Sequence, residues 1–170
     1  KEAISMLVKV LEDQSQEPMV RHEAAEALGA IGLPEVMHIL ENFLYDPTVE
    51  VAETCELALE RIKWLQNPEK TKLSENPYLS VDPAPPATSS AVEELKQTLL
   101  DENANLFNRY RAMFSLRNLR TKEAVEALGS ALKCGSALFR HEIAFVLGQM
   151  QDEASVPYLK ESLEDCSENE

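Results

Sequence analysis

The fold is decided by a repeated stretch, VRHEAAEALGAIG at residues 20–32 and FRHEIAFVLGQM at residues 139–150. A shift of 119 residues superimposes the Arg-His-Glu triplets and the Leu-Gly pairs of the two stretches. A shorter shift of 31 residues places Arg109 on Arg140 and Leu116 on Leu147. Apolar residues recur at helical spacing in both stretches. A helical hairpin repeated about every thirty residues is typical of an α-solenoid.

Helical patterning covers nearly the whole chain and is interrupted once, at residues 66–90, where five of the nine prolines lie. Each proline removes a backbone donor and restricts the residue before it, so this segment is expected to be non-helical. The sequence therefore predicts an all-α fold with two pseudo-symmetric blocks of helical hairpins, residues 1–65 and 91–170, joined by a Pro-rich linker at 66–90. A shift of 152 residues places Leu11 on Leu163, which predicts that the first block begins in mid-repeat, that the second block ends in mid-repeat and that the chain is a fragment of a longer solenoid.

The charge, the apolar runs and the cysteines of the chain limit the kinds of function that it can have. Sixteen basic and thirty acidic residues give a net charge of −14, which disfavours nucleic acid and favours a cationic substrate or basic partner. No apolar run reaches the ~20 residues that cross a bilayer, so no membrane association is expected. Three cysteines without a CxxC pair indicate free thiols in a reducing compartment. The small basic spot at Arg109 and Arg111 is predicted to pair with acidic neighbours.

The candidate chemistry lies in two His-Glu pairs, His22-Glu23 and His141-Glu142, at matching repeat positions. Neighbouring helical residues point ~100° apart, so such a pair would serve a metal shared with another helix. Two histidines and one carboxylate form the non-haem Fe(II) arrangement, and two facing pairs would suit a di-iron centre. The alternative is an inert surface dipeptide whose arginine forms an ordinary ion pair. Other repeats lack the dipeptide at this position, so the repeat does not require it, and both interpretations stay open.

With these residues in view, the chain resembles the deoxyhypusine hydroxylase family. The stretches at 20–32 and 139–150 resemble the second and third of that family's four His-Glu motifs, and residues 77–86 and 110–114 are similar to it as well. The likeness covers essentially the whole chain, and the connector makes it specific because generic solenoids share no such linker. The resemblance implies a HEAT-repeat di-iron monooxygenase.

The resemblance also implies roles for individual residues. His22 and Glu23 would be ligands of one Fe(II), His141 would be a ligand of the other, and Glu142 would face the substrate amine. The intact enzyme would hold two irons, use O2 as co-substrate and take electrons from an external donor. It would hydroxylate the deoxyhypusine side chain of eukaryotic translation initiation factor 5A in the cytoplasm. With the first and fourth motifs absent, this segment alone is expected to bind iron weakly and not to turn over.

Two other functions are alternatives to the hydroxylase. A non-catalytic HEAT-type scaffold would bind a protein partner on its concave face and leave its His-Glu pairs inert. A bilin lyase-type solenoid would bind a tetrapyrrole, but it does not explain the duplicated His-Glu pairs. Iron content and visible absorption separate the hydroxylase from the scaffold.

Overall fold

A computed structural model of the chain describes residues 2–68 and 72–168, and that part of the chain contains helices, turns and irregular segments but no β-strand. The chain divides into two compact units. Unit 1 comprises Lys1–Lys70 with Val81–Ala84, and unit 2 comprises Thr71–Ser80 with Pro85–Glu170. The predicted all-α fold built from helical hairpins is confirmed.

Unit 1 consists of two helical hairpins. Its helices are α1 (Glu2–Glu12), α2 (Pro18–Ile31), α3 (Met37–Glu41) and α4 (Val49–Gln66). Helix α2 packs against both α1 and α4, and α3 packs against α4. The core between them is aliphatic and includes Leu11, Ala25, Leu28, Leu40, Val51, Cys55 and Ile62. The apolar spacing of Leu40, Phe43 and Leu44 favours a helix that continues to Leu44, but α3 ends at Glu41 and turns follow it, although Leu44 still packs against the core.

Unit 2 repeats this plan. Its helices are α5 (Val92–Leu100), α6 (Leu106–Leu119), α7 (Lys122–Ser130), α8 (Ala137–Met150) and α9 (Val156–Leu163). Helix α6 contacts α5, α7 and α8, and α9 contacts α7. Asn105 and Ser136 cap α6 and α8, since the side chain of each accepts a backbone N–H from the first helical turn.

The repeat step is visible in the second helices of the hairpins. Helices α2, α6 and α8 each contain 14 residues; α6 begins 88 residues after α2, and α8 begins 31 residues after α6. Each is followed by a residue with left-handed backbone, namely Gly32 (φ 73°), Arg120 (φ 54°) and Gln151 (φ 52°). The same residue-by-residue register therefore relates all three helices.

Beyond Gln66, the last residue of α4, the proline-rich connector is non-helical in its described part and packs against the helices. In unit 2, the Ala87 N–H donates to the Arg111 carbonyl, and the Tyr78 ring lies 4.9 Å from the Arg117 guanidinium carbon. In unit 1, Arg61 Nε donates to the Asp82 carbonyl at 3.0 Å. Tyr78, which the sequence favoured as plain linker, is thus held by a cation–π contact.

Candidate metal centre

The first predicted ligand, His22, lies inside unit 1 between α2 and α4. Its side chain is almost fully buried, and Nδ1 lies 2.6 Å from Thr54 Oγ1. The Thr54 hydroxyl donates its only proton to the Glu50 carbonyl one turn earlier, at 2.7 Å. The hydroxyl oxygen must therefore accept a hydrogen bond from Nδ1–H, which leaves the lone pair of the neutral imidazole on Nε2. That tautomer is the one in which Nε2 can bind a metal.

Two carboxylates accompany His22 on α2. Glu23 is exposed to solvent. Glu26, one turn after His22, is half-buried, and its Oε2 lies 3.8 Å from His22 Nε2. Burial raises the pKa of the Glu26 carboxyl, and the negative charges of Glu23 and Asp82 raise it further. The negative charges that raise this pKa would also attract a metal cation.

A buried ion pair fixes the start of α2 next to His22. Arg21 Nε donates to the Leu11 carbonyl at 2.9 Å, and its two terminal nitrogens contact Asp46 at 3.2 and 2.5 Å. The pKa of Asp46 is lowered by the bond from Arg21 and by the N–H of Thr48. In the alternative interpretation this arginine would form an ordinary surface ion pair, whereas the structure places the pair in the interior, with the two side chains 5% and 2% exposed.

The second predicted pair lies on α8 in unit 2 in a different setting. His141 is exposed and Glu142 is half-buried. The preceding Arg140 forms an ion pair with Glu168 at 2.8 Å and donates to the Gly135 carbonyl at 2.8 Å. The third histidine of the chain, His38 on α3, is exposed.

Neither unit completes a metal site by itself. Across residues 2–68 and 72–168, no group of three or more His, Cys, Asp or Glu side chains is arranged to hold an ion. The residues that are present do fit iron in donor type, because imidazole nitrogen and carboxylate oxygen are the ligands of non-haem Fe(II) sites. Each pair can supply part of a coordination shell.

Sequence reasoning missed Thr54 and Glu26. Glu26 was detectable, since a residue four positions after His22 shares its helix face. Thr54 lies 32 residues after His22, which is close to one repeat step, but its role depends on how α2 packs against α4.

In the described residues, no helix is both long and apolar enough to span a membrane.

Comparisons with known proteins agree with this architecture. A family model for HEAT repeats matches residues 1–60 and 88–170. The deoxyhypusine hydroxylase of Drosophila melanogaster is 61% identical over an alignment of 170 positions that covers 99% of this chain and 56% of that protein. The Homo sapiens deoxyhypusine hydroxylase is 59% identical over 167 residues, covering 98% of this chain and 55% of that protein.

A solved structure gives the same result at the level of the backbone. The structure of human deoxyhypusine hydroxylase in complex with glycerol matches with a TM-score of 0.92 and 59% identity. It covers 99% of this chain and 58% of that one, so the chain spans just over half the length of the relatives it matches. The chain belongs to the HEAT-repeat family, and its sequence and backbone are similar to those of deoxyhypusine hydroxylases.

Proposed function

We propose that the protein carrying this chain is a deoxyhypusine monooxygenase, which hydroxylates the deoxyhypusine side chain of eukaryotic translation initiation factor 5A. The observation that carries the proposal is the 61% identity, across 99% of this chain, to a protein named deoxyhypusine hydroxylase. Two Fe(II) ions would supply the activation of O2, and an external donor would supply electrons. The expected location is the cytoplasm.

The geometry of His22 supports a ligand role. A histidine that binds a metal through one nitrogen commonly donates its other N–H to an oxygen, which fixes the tautomer and the orientation of the ring. Thr54 accepts that N–H from His22 at 2.6 Å. In this proposal His22 and the adjacent Glu23 bind one iron, and the intact protein supplies the remaining ligand.

Unit 2 would contribute both to metal binding and to substrate binding. His141 would bind the second iron through an exposed imidazole. Glu142, half-buried on the same helix, would pair with the cationic amine of the deoxyhypusine arm and thereby orient the carbon to be hydroxylated. The net charge of −14 would attract this cationic arm over a longer range.

The test is iron content and visible absorption of the intact protein, with hydroxylation of deoxyhypusine-containing factor 5A as the activity. We expect two irons per protein, with His22→Ala and His141→Ala each weakening one site. His38→Ala is the matched control, because His38 is an exposed histidine of the same chain outside the proposed sites. Glu142→Gln should retain iron and lose turnover.

Two results would overturn the proposal. A folded, iron-free and colourless intact protein would remove the ligand assignment and leave a non-catalytic HEAT scaffold. Equal loss of iron in His38→Ala and His22→Ala would show that the assigned histidine has no special role.

A further inference from the structure

The described loops that follow α1, α3, α5 and α9 share one turn, and the loop that follows α7 departs from it. Asp13, Asp46, Asp101 and Asp165 each accept, through Oδ1, the backbone N–H two residues later, at 2.9–3.0 Å. In the loop between α7 and α8 the matching residue is Cys134, which lies 88 residues after Asp46. A thiol thus stands where the other described loops have a carboxylate.

The arginine that pairs with this carboxylate in unit 1 is retained in unit 2. Arg109 lies 88 residues after Arg21, and its Nε donates to the Leu99 carbonyl at 3.0 Å, just as Arg21 Nε donates to Leu11 at 2.9 Å. A Cβ built on Gly135 would lie 3.3 Å from Arg109 Nη1. The Arg109 guanidinium therefore lies against the loop that carries Cys134.

Among the described residues, this guanidinium forms no ion pair. Arg109 is only 5% exposed, and its Nη2 is buried without a hydrogen bond in the described structure. Its other contact is the Phe139 ring, 4.0 Å from the guanidinium carbon. The predicted pairing of Arg109 with an acidic neighbour is not found among the described residues, where Cys134 stands at the position that Asp46 occupies in unit 1.

The nearby charged groups are engaged elsewhere. The Glu102 carboxylate accepts the Gly135 N–H at 2.7 Å, and Arg140 pairs with Glu168. Lys133 pairs with Glu161, and Asp165 accepts bonds from Ser167. None of them forms an ion pair with Arg109 within the described residues. A buried, unpaired charge is costly, so an anion created at Cys134 would be stabilised.

We propose that Cys134 is an oxidation site whose sulfinate product pairs with Arg109. In the first step the sulfur attacks hydrogen peroxide: an S–O bond forms, the O–O bond breaks and water leaves, so that RS⁻ and H₂O₂ give RSO⁻ and H₂O. A second peroxide converts RSO⁻ to RSO₂⁻ and water, and each step oxidises sulfur by two electrons. The two sulfinate oxygens then occupy the place that a carboxylate occupies in the other loops. Cys134 is half-buried and so is accessible to peroxide.

The test uses the other two cysteines as internal controls. The intact protein is exposed to graded hydrogen peroxide, and each cysteine is quantified by peptide mass spectrometry. Cys166 is exposed, and Cys55 is buried with its pKa raised to about 12 by desolvation and Asp46. We expect sulfinate at Cys134 to exceed that at Cys166 by about tenfold, the ratio that one charge-assisted hydrogen bond supplies. Preferential oxidation of Cys166, or a Cys134–Cys166 disulfide as the main product, would overturn the proposal.

A second measurement does not depend on peroxide. Cys134→Asp mimics the sulfinate. Cys134→Asn has nearly the shape of the aspartate variant and can accept the hydrogen bond of the aspartate turns, but it has no charge. We expect the aspartate variant to melt about 2–4 °C above the asparagine variant. Oxidised wild-type protein should likewise melt above peroxide-treated Cys134→Ser. An aspartate variant no more stable than the asparagine variant would show that Arg109 does not need an anion, and would contradict the proposal.

Discussion

The helix pair α2–α4 of unit 1 and the pair α6–α8 of unit 2 have the same register but different polar residues. His22 on α2 corresponds to Tyr110 on α6, 88 residues later, and Thr54 on α4 corresponds to Glu142 on α8. The His-Glu dipeptide is thus on the first helix of one pair and on the second helix of the other. The repeat determines the positions that side chains can occupy, and differences at single positions decide which helix contains the His-Glu dipeptide.

The same two pairs differ in how they hold a buried arginine. Both arginines donate to a carbonyl ten residues earlier, but within the described part of the chain only Arg21 also pairs with a carboxylate, that of Asp46. Arg109 has an aromatic ring beside it and a cysteine in place of the acid. The carbonyl bond is therefore sufficient for this packing, and the ion pair is an addition in unit 1.

Removing the acid in unit 1 should have the largest effect. Asp46→Ala leaves the buried Arg21 charge without its partner, and breaking a buried pair in this way costs about 3–5 kcal/mol. The matched change in unit 2, Cys134→Ala, removes no ion pair and should cost less than about 1 kcal/mol. Urea unfolding of both variants, read from the midpoints at an unchanged m-value, measures the contrast. Equal losses would mean that the Arg21–Asp46 pair adds nothing to the packing.

Low pH should remove the stability difference between the wild type and Asp46→Ala. The pKa of Asp46 is lowered in the folded state by the hydrogen bond from Arg21. A lowered folded pKa stabilises the protein above the unfolded value of about 4, and that stability is lost as the pH falls through the lower folded value. The difference between wild type and Asp46→Ala should accordingly shrink as the pH falls below about 4. A difference that stays constant in acid would assign it to lost packing.

The next effect concerns the tautomer of His22. Thr54→Val keeps the shape of the side chain but removes the acceptor for the Nδ1 proton, and loss of such a partner typically weakens metal binding by about 10–100-fold. Thr98→Val is the matched control, because Thr98 also donates to a carbonyl one turn earlier, at 3.2 Å, but contacts no histidine. Iron titration of the intact protein gives the affinities, and nitrogen chemical shifts of the His22 ring report the tautomer.

Two outcomes decide the role of Thr54. Thr54→Ser restores the hydroxyl and should recover the iron affinity. An unchanged Nδ1-protonated ring in Thr54→Val would mean that the hydroxyl does not select the tautomer.

The fold was predictable because its signals are local. Helical periodicity, glycine and proline at the ends of helices and the Arg-His-Glu duplication predicted the helices and their step. The end of α3 was overestimated because Phe43 and Leu44 keep an apolar pattern and pack against the core without being helical. Apolar spacing reports burial, and backbone geometry follows it only in part.

The two His-Glu pairs of the candidate site are visible in the sequence, whereas the contacts around them are not. The His-Glu pairs are sequence features, whereas the bond from His22 to Thr54 exists only because α2 packs on α4. Cys134 was visible in the sequence, but its departure from the other loops became apparent only when the structure showed the same turn at four aspartates. Roles that depend on contact between repeats therefore require the structure.

The smallest effects are expected at two matched glycines, and they should have opposite signs in the 170-residue chain. A Cβ on Gly29 of α2 would lie 2.7 Å from Ala58 Cβ and 2.9 Å from Ala58 Cα. Because α4 would have to move, Gly29→Ala should destabilise unit 1 by about 1–3 kcal/mol. Gly148, the equivalent residue of α8, has nothing within 4 Å of its Cβ position.

At Gly148 only the gain in helix propensity remains, so Gly148→Ala should stabilise the chain by about 0.5–1 kcal/mol. Thermal unfolding of the two variants gives the signs directly. If both changes destabilised the chain, another part of the protein would have to cover α8 at Gly148, and the two helices would then share their packing as well as their register.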